Sequence, residues 1–254
     1  MKEVARIAKA RLLKLHYDAG VGHIGGNLSC IDILLTLHHR LLGSDDRFVL
    51  SKGHAAGAMY ITLWTLGRIA EEELLTFHKE NTLLSGHPAV RGVGGIEFAT
   101  GSLGHGLSLA CGLALAKRYT LDQGRAYCLM SDGEWQEGSN WEAVIFAQHQ
   151  NLPVTVIVDA NGLQGFGSTS DVAGMDNLAS RFRGFGCSVI EVDGHDHTAF
   201  ERACRQISDG FAIIVAHTNK GNGVSFMSGK MEWHYLPMTQ ALYEQALKEL
   251  EAAA

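Results

Sequence analysis

Apolar residues recur at three- and four-residue spacing over 2–19 (Val4, Ile7, Ala8, Leu12, Leu15, Ala19), which predicts an amphipathic helix ended by Gly20. A histidine-bearing loop follows, and Ser29-Cys-Ile-Asp32 reads as a capping box that opens a second helix to about Leu42. Arg47-Phe-Val-Leu50 reads as a short strand, and 53–67 and 71–79 read as helices. Between Asn81 and Gly106 the periodicity fails and seven glycines accumulate, so a long loop of the functional kind is expected there. A helix resumes over Leu107–Tyr119. Strands at 126–130, 154–159, 187–192 and 211–216 then alternate with helices at 140–150, 176–184, 197–208 and about 239–252. Strands this apolar cannot face water, and strand–helix alternation builds a parallel sheet with helices on both faces. The expected fold class is therefore α/β, as a single domain over 1–254, with an alanine tail fraying after Glu251.

Composition changes that picture little but excludes several classes. At 254 residues and 46% apolar the chain can bury a core of ordinary domain size. A net charge of −6 with no basic run argues against nucleic acid. The longest apolar runs, such as 153–158 and 211–216, are far shorter than the roughly 20 residues that span a bilayer, so no membrane partner is expected. Met1-Lys-Glu-Val-Ala-Arg lacks the apolar core of a signal peptide, and a cytoplasmic protein is expected. Cys30, Cys111, Cys128, Cys187 and Cys204 never form Cys-x-x-Cys and fit reduced, buried thiols better than zinc ligands or bridges. Thirty glycines beside only 3 prolines suggest close backbone approaches rather than linkers.

In an open parallel sheet, ligands bind beyond the carboxyl ends of the strands. Strand 126–130 runs into Ser131-Asp132-Gly133-Glu134, and strand 154–159 into Asp159-Ala-Asn161-Gly162. Each alone reads equally well as an ordinary turn. Together they put two oxygen-bearing side chains, Asp132 and Asn161, at the ends of consecutive strands, within reach of one ion if those strands are neighbours. Magnesium suits such a site, with phosphate and water completing its octahedron. Thr100-Gly-Ser-Leu-Gly-His-Gly106 closes the long loop, and its amides could face an anion or a ring nitrogen, or simply start the next helix. It is neither a Walker loop nor a Gly-x-Gly-x-x-Gly fingerprint. A lone loop histidine is ordinarily solvated or capping. Here His23, His54 and His87 each follow a glycine, so the backbone can approach a ligand while the imidazole supplies a hydrogen-bonding group. Glu97 reads as a solvated charge, and His195-Asp-His197 as a loop after a strand rather than a metal site.

Gly22-His23, Asp46-Arg-Phe-Val-Leu-Ser-Lys-Gly-His54, Gly86-His87-Pro88, Thr100-Gly-Ser-Leu-Gly104, Asp132-Gly-Glu-Trp-Gln-Glu-Gly138, Asp159-Ala-Asn161 and Lys220-Gly-Asn-Gly-Val-Ser-Phe…Trp233-His234 occur in this order. Together they resemble the diphosphate-binding half of transketolase. The step from Asp132 to Asn161 fits the thiamine diphosphate motif, which ends in asparagine. The resemblance implies the thiamine diphosphate-binding fold, with thiamine diphosphate and magnesium or calcium as cofactors. It implies that Asp132, Asn161 and the carbonyl of Leu163 hold the metal, and that His54, Gly133, Lys220 and His234 contact the diphosphate. Gly101, Ser102 and Leu103 would meet the aminopyrimidine through their main chain, with Glu134 and Gln164 completing the cofactor shell. His23, His87 and His234 would be the catalytic residues, donating hydrogen bonds to ketose hydroxyls and to the oxygen that gains charge. Some positions depart from the family pattern. Ile24 and Ser102 stand where proline is usual, and Ser131 where glycine is. His105 and Tyr235 replace glutamine and glycine, and bear on substrate choice.

The resemblance further implies the N-terminal subunit of a split, two-component transketolase. A C-terminal subunit would supply the pyrimidine-binding domain and its activating glutamate, most simply as α₂β₂. The pair would transfer a two-carbon ketol unit from a ketose, or its phosphate, to an aldose, so small sugars are the expected substrates. Two other readings stand beside this one: a thiamine-dependent decarboxylase or oxo-acid dehydrogenase subunit, and a non-catalytic binding subunit of the same fold. The three Gly-His loops and the Lys220…His234 segment favour ketol transfer.

Overall fold

The computed structural model describes residues 1–90 and 92–252; Arg91 and residues 253–254 of the expected tail lie outside them. The first half of the chain forms α1 (Lys2–Ala19), α2 (Ile24–Arg40), β1 (Arg47–Leu50), α3 (Ala56–Thr65), α4 (Glu71–Leu74) and α5 (Gly106–Thr120). Then come β2 (Ala126–Ser131), α6 (Gly138–His149), β3 (Val154–Ala160), β4 (Leu163–Gln164), β5 (Gly167–Ser168), α7 (Thr169–Ala173) and α8 (Leu178–Gly184). The chain continues through β6 (Ser188–Asp193), α9 (His197–Arg205), β7 (Ala212–His217) and α10 (Gln240–Ala252).

Five strands pair in the order β1-β2-β3-β7-β6, every neighbour parallel. Because side chains alternate across a strand, each strand feeds two cores. Leu50, Leu129, Ile157 and Ile214 join buried residues of α1, α2, α3, α9 and α10 on one face. Val49, Cys128, Met130, Val156 and Ile213 join those of α5, α6 and α8 on the other. That double burial is why the strands read as continuous apolar runs. All five cysteines are buried and free, as small core residues. No helix among the described residues is long and apolar enough to cross a membrane.

Several boundaries differ from expectation. Helix α2 begins at Ile24, so Ser29 and Asp32 lie inside it and form no capping box. Ser29 instead reaches Asp159, and Asp32 pairs with Lys9 and His195. The helix expected over 71–79 is the single turn α4, and the one expected over 176–184 starts only at Leu178. The hairpin β4–β5 is too short to leave a periodic signal. His195 lies in the turn after β6 and His197 opens α9; both face Asp32, and no metal-ligating cluster occurs among the described residues.

Candidate active site

Parallel pairing of β2 with β3 sets Ser131 opposite Asp159, so the residues that follow each strand emerge side by side. Asp132 Oδ2 accepts the Gly162 amide at 2.5 Å and Oδ1 accepts that of Gly133 at 2.8 Å. Asn161 Oδ1 accepts the Leu163 amide at 3.0 Å. Beyond these strand ends lies a cleft of about 340 Å³, lined by Asp132, Gly133, Asn161, Leu163 and Gln164, together with His23, His54, His87, Gly101, Leu103, Lys220 and His234.

The histidines converge although they arise far apart in sequence. The ring of His23 sits 5.6 Å from that of His54, 6.1 Å from His87 and 5.1 Å from His234, centroid to centroid. His23 caps α2 with a left-handed φ of 65°, a conformation that is uncommon outside glycine. Its amide donates to the His234 carbonyl at 3.0 Å, and its carbonyl accepts from the Asn27 side chain at 2.8 Å, which together hold that backbone in place. Burial first, and neighbouring positive charge second, lower the pKa of all four rings: His54 well below the usual range, His234 to about 3. At neutral pH each ring therefore has one N–H to donate and one bare nitrogen to accept.

Two charges in the cleft lack local compensation. Burial, and then the nearby Asp159 carboxylate, push Asp132 up to about 6. Lys220 is 2% exposed and comes down to about 8, through burial and then the repulsion of Lys52. Its Nζ meets only neutral partners, His234 Nδ1 at 3.0 Å and the Leu163 carbonyl at 3.4 Å; among the described residues no carboxylate lies in salt-bridge range. A buried anion wanting a cation beside a buried cation wanting an anion is the complement of a metal–diphosphate pair. The hard oxygens of Asp132, Asn161 and the Leu163 carbonyl suit magnesium or calcium, so the residues present fit the group that the resemblance implies.

One sequence expectation needs correction. Glu134 is fully buried behind the cleft and does not line it. Its carboxylate accepts from Ser51 Oγ, from the Gly104 amide at 3.0 Å and from the Ser131 amide at 3.2 Å, tying the 100–106 loop to the end of β2. Gly101 and Leu103 line the cleft and the Ser102 side chain is exposed, an arrangement compatible with the main-chain contact expected of this segment. Two participants, Gly26 and Phe166, escaped sequence reasoning. Gly26, in the first turn of α2, brings a helix N-terminus to the cleft; the signal was hidden because Ile-Gly-Gly is a poor helix start. Phe166 and Tyr235 form the rim, and exposed aromatics in loops carry no periodicity.

A family profile described as "Transketolase, thiamine diphosphate binding domain" matches residues 5–251. The chain belongs to the transketolase family. That match sets aside the decarboxylase and oxo-acid dehydrogenase alternative. Among relatives, the chain is 37% identical to a subunit of the apulose-4-phosphate transketolase of Phocaeicola vulgatus, over 95% of this chain and 90% of that one. It is 36% identical to the 6-deoxy-6-sulfo-D-fructose transketolase subunit SqwG of a Clostridium species, over 91% and 89%. Human transketolase is 35% identical over 98% of this chain, which spans 42% of the human protein. The solved transketolase of Leishmania mexicana superposes with a TM-score of 0.89 at 25% identity, covering 98% of this chain and 41% of that one. The transketolase of Campylobacter jejuni superposes with a TM-score of 0.85 at 27% identity, covering 98% and 42%.

Proposed function

We propose that residues 1–254 act as one diphosphate-binding domain. It holds thiamine diphosphate through a divalent cation, magnesium or calcium, and transfers a two-carbon ketol unit from a ketose or ketose phosphate to an aldose in concert with a second subunit. The observation that carries this reading is the meeting of Asp132 and Lys220, each without an opposite charge of its own, across one cleft beyond β2 and β3. Asp132, Asn161 and the Leu163 carbonyl hold the metal. Lys220, His54, His234 and the Gly133 amide hold the diphosphate oxygens, and the first turn of α2 adds its positive end. The main chain of Gly101–Leu103 meets the aminopyrimidine, and Gln164 borders the cofactor.

The bound cofactor supplies the electron sink that lets a carbon–carbon bond beside a carbonyl break. The chain's own residues orient the sugar and handle protons. His23, His87 and His234 are held neutral, so they donate N–H groups to the sugar hydroxyls and to the carbonyl oxygen as it gains negative charge; His23 and His87 can also accept a proton from a hydroxyl through the free nitrogen, whereas His234 Nδ1 takes the Lys220 ammonium. Because these donors are fixed beforehand in a half-buried site, they need little reorganisation when charge develops.

The relatives that this chain matches almost end to end are themselves named as subunits of transketolases, which supports a partner chain. On the proposed reading that partner bears the pyrimidine-binding domain and activating glutamate, and the pair assembles as α₂β₂ in the cytoplasm. Mixing purified chains tests the proposal. Ketol transfer is expected from the 254-residue chain plus a C-terminal transketolase subunit, given thiamine diphosphate and magnesium, and from neither chain alone. Full activity from this chain by itself would refute it.

A further inference from the structure

At the floor of the cleft, where Lys52 contributes to the lining, lies a buried ion pair that the reaction described above does not use. Lys52 and Asp159 are both 0% exposed, and their charged groups are in contact. Lys52 Nζ also donates to the Gly26 carbonyl at 3.1 Å. Asp159 further accepts Ser29 Oγ at 2.5 Å and Thr218 Oγ1. Asn161 Nδ2 faces the same corner, 3.4 Å from Ser29 Oγ and 3.5 Å from Asp159 Oδ2, while its Oδ1 takes the Leu163 amide. A carboxylate can only accept and a peptide N–H can only donate, so the Asn161 amide has one workable orientation, with oxygen toward Leu163 and the cleft.

We propose that the Lys52–Asp159 pair is a positioning device for metal binding, an inference that rests on the proposed cofactor reading. Asp159 turns the Asn161 oxygen toward the ion. Lys52 cancels the Asp159 charge, so that of two neighbouring buried carboxylates only Asp132 presents a net negative charge to the cleft. Removing Lys52 leaves two uncompensated carboxylates at the floor of the cleft. Removing the Asp159 charge leaves a buried ammonium that repels the cation and frees the amide to turn.

The test is the magnesium concentration that half-saturates thiamine diphosphate binding, measured by calorimetry on the reconstituted complex, with melting temperature recorded in parallel. Asp159→Asn, which strands the ammonium and frees the Asn161 amide, should raise it by roughly 10- to 100-fold, as loss of groups behind metal ligands commonly does, whereas Lys52→Met, which removes positive charge beside the site, should not raise it. The double variant, with the stranded ammonium gone, should recover part of the Asp159→Asn loss. Ser29→Ala, which removes only the hydroxyl bridging Asp159 and Asn161, should raise it by about severalfold and serves if a single charge variant does not fold. An Asp159→Asn variant that melts lower but keeps the wild-type magnesium requirement, or a double variant no better than Asp159→Asn, would overturn the positioning role alone. Wild-type complex that binds the cofactor with no dependence on magnesium would overturn the cofactor reading with it.

Discussion

At the scale of single residues, the proposed function divides the cleft into groups that hold the cofactor and groups that face the sugar. Asp132 is the only charged member of the three proposed oxygen ligands, so Asp132→Ala should abolish magnesium-dependent binding of thiamine diphosphate, read by calorimetry. The His87 ring lies 6.1 Å from that of His23 and packs against Gly101 of the 100–106 loop. His87→Ala should therefore lower kcat by about 10²-fold or more, the range of a single proton-handling or charge-stabilising group, while cofactor affinity stays near wild type. Equal losses of affinity in both variants would show that this division is wrong. Glu134 shows how a residue can sit inside a functional motif and act through others: it carries the Gly104 and Ser131 amides rather than the cofactor. Its spacing from Asp132 was visible in the sequence, but the direction of its side chain depends on which face of the chain after β2 meets the 100–106 loop.

At the scale of elements, the site depends on backbones meeting more closely than side chains would allow. A Cβ on Gly53 would lie 2.7 Å from the Gly101 nitrogen and the Thr100 carbonyl carbon, both backbone atoms with nowhere to move except together with the loop. Gly53→Ala should cost about 1–3 kcal/mol of stability and weaken cofactor binding, both measurable by denaturant titration with and without the cofactor. Gly112, inside α5 with nothing within 4 Å of its added Cβ, is the control: Gly112→Ala should stabilise by about 0.5–1 kcal/mol. The strand and helix alternation from β2 onward was legible because sheet burial on both faces writes continuous apolar runs, and the Gly-His pairs were legible as motifs. What periodicity missed was decided by tertiary contact. The start of α2 at Ile24 depends on His23 being held in the left-handed region by His234, more than 200 residues away, and no local window contains that bond.

For the whole molecule, two buried histidines away from the cleft chemistry join the cleft rings in setting the acid limit of the fold. Burial lowers His16 to about 4 and His38 to about 3, from 6.5 in an exposed chain. The unfolded chain therefore binds protons that the native state refuses, so stability is fullest above pH 6.5 and falls as pH drops from there toward 4 and 3. At about 1.4 kcal/mol per unit, His16 alone removes about 3 kcal/mol over its window, a large share of a typical domain's stability. Urea midpoints should decline steadily below pH 6.5, and His38→Phe should flatten that decline; a profile unchanged by the substitution would refute this origin.

The central claim is that a divalent ion and a diphosphate share the space between the ends of β2 and β3. A crystal of the reconstituted complex grown with thiamine diphosphate and manganese, recorded at the manganese absorption edge, tests it most directly. The expected result is one strong anomalous peak bounded by Asp132, Asn161 and the Leu163 carbonyl, with the diphosphate bridging from it to Lys220. A peak elsewhere, or a diphosphate bound away from these residues, would contradict it.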